Sequence, residues 1–132
     1  MTATDHPLHT ALRACASGVF PTEAGVGLLI GHGTWLHRDD FAGAFVHTGV
    51  SITDGITKMA QIDWPAAIAA LDAGSLPCSG GERRMLRLAA SIADGIPVSL
   101  HDTLTGIDDR NVQLVVAAIL HASGQRPQAG IP

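Results

Sequence analysis

Apolar residues recur three and four positions apart along most of the chain, and glycine or proline breaks that rhythm at intervals. The first stretch opens at Asp5 and Pro7, carries Leu8, Leu12 and Cys15, and stops at Gly18. Aspartate caps free amides and proline fits the first turn, so a helix is predicted there. A second predicted helix opens at Pro21 and Glu23 and ends near Gly31 and Gly33. A third is predicted over 34–47, behind Arg38, Asp39 and Asp40. Residues 50–62 are ambiguous: Ser51 or Thr53 would cap a helix bearing Ile56, Met59 and Ala60, but Gly55 interrupts it.

The second half of the pattern is sharper. Asp63, Trp64 and Pro65 open a helix with Ala67, Ile68 and Leu71 on one face, ended by Gly74. Ser79-Gly80-Gly81-Glu82 has the spacing of a capping box, in which the serine hydroxyl and the glutamate each satisfy a free amide. The helix behind it places Met85, Leu86, Leu88, Ala89 and Ile92 at helical spacing and ends at Asp94-Gly95. A short helix follows at 99–105, then a long one over 109–123, capped by Asp108 and closed by Gly124. Strand signals are nearly absent. The predicted fold is all-α: a compact single domain of about six to eight short helices. Leu86, Ile92, Leu114 and Ile119 are predicted to be buried, and the tail 124–132 to be frayed.

The pattern also repeats. Asp5-His6-Pro7 returns as Asp63-Trp64-Pro65, and residues 11–21 align with 67–77 as Ala-Φ-x-Ala-x-x-x-Gly-x-Φ-Pro, where Φ is apolar, at an offset of 56. Two pseudo-repeated halves, about 5–50 and 63–106, are therefore expected, with the helix 109–123 added at the end. Gly18 and Gly74 are then expected to hold equivalent left-handed helix ends.

Composition narrows the class. With 46% apolar and 15% charged residues over 132 positions, the chain can bury a core and is not a disordered segment. There are 20 alanines and five aromatic residues, so the core must come from close helix packing. The net charge of -4 argues against a generic polyanion binder. The charge is uneven: residues 1–75 hold 3 basic and 7 acidic side chains, and residues 76–132 hold 5 of each. The longest apolar run, 114–120, is far too short for a membrane span, and the N-terminus lacks a secretory pattern. A cytoplasmic protein is expected, with Cys15 and Cys78 as free thiols.

The segment 76–95, LPCSGGERRMLRLAASIADG, resembles a recurring segment of small uncharacterised proteins from high-GC Gram-positive bacteria. The likeness extends to His121-Ala122-Ser123-Gly124 and to 63–74, and it implies no particular activity. Ser79-Gly80-Gly81-Glu82 is also similar to the signature loop of ABC-type ATPases. The phosphate-cradling loop of those enzymes is absent, however, and Thr103 stands where they place a catalytic glutamate.

Candidate chemistry gathers at the same place. Cys78 and Ser79-Gly80-Gly81 precede a helix that carries Arg83, Arg84 and Arg87, and a helix start with cations attracts anions and favours a thiolate. These seven residues form a candidate site for an anion or an acidic partner, or for a thiol reaction with His101 as base. Residues 85–124 resemble a helix-turn-helix, with Gly106 in the turn. In that alternative Arg110, Asn111 and Gln113 would contact nucleic acid, but the helix behind them is mostly apolar. The histidines give no metal signature. His6 and His9 share a helix face, and His32, His37, Asp39 and Asp40 form a loose cluster. No catalytic residue, metal or cofactor is assigned, and Trp35 and Trp64 are expected to anchor packing. The favoured function is a non-catalytic binding or regulatory module acting through protein–protein contacts, with itself as a homodimer or with another protein. Nucleic acid is second, a thiol enzyme or small-ligand binder third, and no membrane partner is expected.

Overall fold

A helix that is apolar nearly all round belongs inside a bundle. Here that helix is α2 (Phe20–His32), which packs against α1 (Pro7–Ala16), α5 (Gly80–Asp94) and α7 (Asp109–Ala122). The computed structural model describes residues 6–125, and the molecule is mostly helical. Ala24, Val26, Leu28 and Leu29 of α2 meet Met85, Leu86, Leu88 and Ala89 of α5 in one core, which Trp35 and Phe41 fill from the side. The approach of α2 to α5 is close enough that a side chain at Gly25 would force its neighbours to shift. A Cβ there would lie 2.4 Å from Ala93 Cβ and 2.7 Å from the Ala89 carbonyl oxygen.

The remaining helices are α3 (Asp39–Phe45), α4 (Trp64–Asp72) and α6 (Leu100–Leu104), and Trp35–His37 forms a 3-10 turn. The capping predictions hold locally. Ser79 and Glu82 form the capping box at the start of α5, Asp63 caps α4, and Asp108 caps α7. At α1 the capping acceptor is His6, whose Nδ1 accepts from the Leu8 amide at 3.1 Å. Asp5 lies outside the described residues, as does the tail from Arg126 onward.

The fold is not purely helical. Residues 46–62 form an antiparallel hairpin of β1 (Val46–Val50) and β2 (Lys58–Ile62), in register from Val46 opposite Ile62 to Val50 opposite Lys58. The predicted helix over 34–47 is accordingly split into the 3-10 turn and α3, which ends at Phe45 where the chain extends into β1. The loop is built by Asp54, whose carboxylate accepts from the amides of Ile56 and Thr57 at 2.8 and 2.9 Å, and from the Thr57 hydroxyl. Gly55 takes the left-handed conformation that the turn needs, with φ of +67°. Helix α1 packs on β2, where Ala60 and Ile62 are buried.

The two matched glycines, Gly18 and Gly74, are both left-handed, with φ of +92° and +78°. Their hydrogen bonds differ. At Gly74 the last carbonyls of α4 are closed by Gly74 N–H to Leu71 and Ser75 N–H to Ala70. At Gly18 the amide instead donates to the Glu23 carboxylate at 2.7 Å. Leu86 is fully buried, while Ile92 and Leu114 are half-buried. Ile119, predicted to be buried, is 55% exposed, because α7 turns Asn111, Val115 and Ala118 toward α2 instead.

Candidate functional site

The start of α5 is occupied by its own capping. The Glu82 amide donates to Ser79 Oγ at 3.1 Å, and Glu82 Oε1 accepts from the Ser79 amide at 2.8 Å. Two of the donors an anion would use are thus already paired. Cys78, half-buried, lies beside Arg38, whose guanidinium stacks on Trp35 at 4.7 Å and donates to the Pro77 carbonyl at 2.6 Å. Arg38 also holds Asp40 in a bidentate pair, which keeps the Asp40 carboxyl below the usual carboxylate range. Trp35, fully buried, satisfies its indole N–H on the Glu82 carbonyl at 2.9 Å, which ties the 3-10 turn to the first turn of α5. His101 is 94% exposed and pairs with Asp102, and no hydrogen bond joins it to Cys78 among the described residues.

The arginines of α5 face elsewhere. Arg83, Arg84 and Arg87 line an open cleft of about 320 Å3, together with Ser99, Asp102 and Thr103 from the α6 segment. The Arg84 guanidinium lies over two glycines. A first side-chain carbon at Gly80 would sit 3.4 Å from it, and one at Gly106 would sit 3.7 Å away. Arg87 is paired with Asp72 of α4. Of the sequence-predicted set, the structure therefore brings the three arginines together, while Cys78 stands with Arg38 and Trp35.

The residues of the nucleic-acid alternative are dispersed in orientation. Arg110 donates to the Gly31 carbonyl at 2.6 Å, Asn111 is buried at 8% exposure, and Gln113 is exposed. Arg110 thus spans from α7 to α2 and does not join the arginines of α5.

The structure sharpens two features that the sequence only suggested. His6, His9 and His37 gather at ring-centroid separations of 5.1, 6.1 and 5.8 Å, because the 3-10 turn brings His37 beside the start of α1. No group of three or more His, Cys, Asp or Glu among the described residues is placed to hold a metal ion. The second feature is apolar. Val112, Val116, Ile119 and Leu120 are 37, 46, 55 and 39% exposed on the outer side of α7. At a hundred degrees per residue they form one stripe, offset from the buried Asn111, Val115 and Ala118. Ile52 and Ile56 at the hairpin tip are exposed as well.

His32, at the end of α2, has a buried Nδ1 with no partner. Burial chiefly pushes its pKa below the ordinary value, aided by Arg110 and opposed by Glu82 and Asp108. Among the described residues no helix is long and apolar enough to cross a membrane. Comparison with protein-family models, characterised proteins and solved structures finds no match.

Proposed function

We propose that the protein is a non-catalytic binding module that works through protein–protein contacts, with the outer face of α7 as its docking surface and a second copy of the chain as the occupant. The observation that carries this reading is the exposed stripe of Val112, Val116, Ile119 and Leu120. A helix needs one apolar face to join a core; α7 has that face and a second one. The stripe suits a two-fold partner because it is uncharged. No Asp, Glu, Lys or Arg occurs from 111 to 120, in a chain whose net charge of -4 sets copies against each other elsewhere. An antiparallel pairing would lay the stripe on itself. A helix of 14 residues offers only a few hundred Å2, so the association should depend on concentration. The nucleic-acid alternative has less support, since Arg110 and Asn111 are engaged toward α2.

Sedimentation velocity over a hundredfold range of concentration tests the proposal. The wild type is expected to shift from monomer to dimer, and V116D/I119D to stay monomeric with unchanged circular dichroism. A monomer throughout, or a dimer that the double substitution leaves intact, refutes self-association through α7.

A further inference from the structure

Arg83 and Arg84 stand side by side in sequence, and neither guanidinium has an ion-pair or hydrogen-bond partner among the described residues. The nearby carboxylates are committed elsewhere. Glu82 folds back on the Ser79 amide, Asp72 takes Arg87, and Asp102 pairs with His101. The unpaired charges also share a recess, since both arginines line the cleft of about 320 Å3 beneath the α6 segment.

We infer that this cleft binds a dianionic oxyanion of the phosphate class. Two unpaired guanidiniums call for two negative charges, and a single carboxylate is satisfied by one bidentate arginine. A phosphate monoester carries close to two charges at neutral pH and presents three acceptor oxygens. Arg87, held by Asp72 at the same cleft, adds a third guanidinium whose remaining donors are available. The cleft also offers a hydroxyl. Ser99 Oγ accepts the Asp102 amide at 3.2 Å, which leaves its own O–H free to donate. Gly80 and Gly106, lacking side chains, leave room for the Arg84 guanidinium beside them. The Asp102 carboxylate also lines the cleft and opposes a dianion there. The anion would be phosphate itself or the phosphate end of a small monoester.

The test is a titration with inorganic phosphate, with sodium chloride holding ionic strength constant, read by thermal shift and by the NMR signals of the arginine Nε–H groups. O-phosphoserine, as a free amino acid, forms a second arm. Phosphate is expected to raise the melting temperature and to move Arg83 and Arg84 signals, and R83Q/R84Q to weaken binding by about ten- to a hundredfold. R13Q, outside the cleft, should bind as wild type, and D102N should bind several-fold more tightly. Tighter binding of phosphoserine than phosphate assigns a monoester; equal binding assigns the free ion. If R83Q/R84Q fails to fold, the exposed single substitution R83Q is read in the same way. A response that chloride reproduces, or that the arginine variants retain, overturns the inference.

Discussion

Replacing Gly25 by alanine tests the central packing of the molecule. The new Cβ would lie 2.4 Å from Ala93 Cβ and 2.7 Å from the Ala89 carbonyl oxygen, where about 3.5–4.0 Å is the comfortable separation between carbons. Neither neighbour has a rotamer to escape into, so α2 and α5 must move apart by about 1 Å. That movement would loosen Leu29, Met85, Leu86 and Ala89, none of which is exposed. Overpacking of this kind costs up to about 3 kcal/mol, and the better helix propensity of alanine returns about 1, leaving a net loss of about 2 kcal/mol. Gly27 lies two positions along the same helix, and a Cβ there meets nothing within 4 Å. G27A should therefore gain the propensity term alone, about 1 kcal/mol. Urea unfolding followed by circular dichroism measures both, with the slope used to check that the unfolded states match. Equal effects of the two substitutions, or a G25A protein as stable as wild type, would mean that α2 and α5 do not approach as described.

S79A removes one half of the α5 capping box and should cost about 1 kcal/mol in the same assay. Asp54 has its pKa pulled down to about 2, first by the Thr57 hydroxyl and then by the Ile56 and Thr57 amides. Its contribution to the hairpin loop is present above pH 4 and lost as pH falls through 2, so the amide signals of Ile56 and Thr57 should shift in that window, and D54N should abolish the shift. His32 has a folded pKa below its unfolded value of 6.5. Below pH 6.5 the unfolded chain takes up a proton that the folded protein resists, so stability should fall on acidification; H32Q should show a flatter slope from pH 7 to 5.

Helices were legible wherever caps and glycines fell at their ends, because those signals are local. Ser79 and Glu82 cap α5, Asp108 caps α7, and Gly33, Gly74 and Gly95 take left-handed conformations after α2, α4 and α5. The hairpin was not legible for the opposite reason. In β1 only Val46 is buried, and His47, Thr48, Gly49 and Val50 are exposed, so no alternation marks the strand. Beyond the local Asp54 loop, its support comes from a distance, through α1 packing on β2. The split of 34–47 follows from the same tertiary context: Trp35 is drawn inward by the Glu82 carbonyl, 47 residues away.

The site was legible as residue types and not as partners. Sequence spacing brings Arg83, Arg84 and Arg87 near each other, but it cannot tell a paired arginine from an unpaired one. Asp72, which neutralises Arg87, comes from α4, and Glu82, the nearest acid in sequence, turns away to its own cap. The same limit applies to α7. Its apolar run predicts burial or an interface without distinguishing them, and the distinction depends on rotation about the helix axis. Val115 and Ala118, packed in the core, set that rotation, and Asn111 marks it: it is buried at 8% exposure while Val112, Val116 and Ile119 face outward. A substitution that makes burial of Asn111 costly should therefore act on core and stripe together. N111D adds a charge at that buried position, beside the cap formed by Asp108. It is expected to lower stability by about 2 kcal/mol or more and to weaken self-association through the displaced stripe, whereas V116D should affect association alone. If N111D leaves the melting temperature unchanged, α7 is not rotated as described, and the stripe loses its basis.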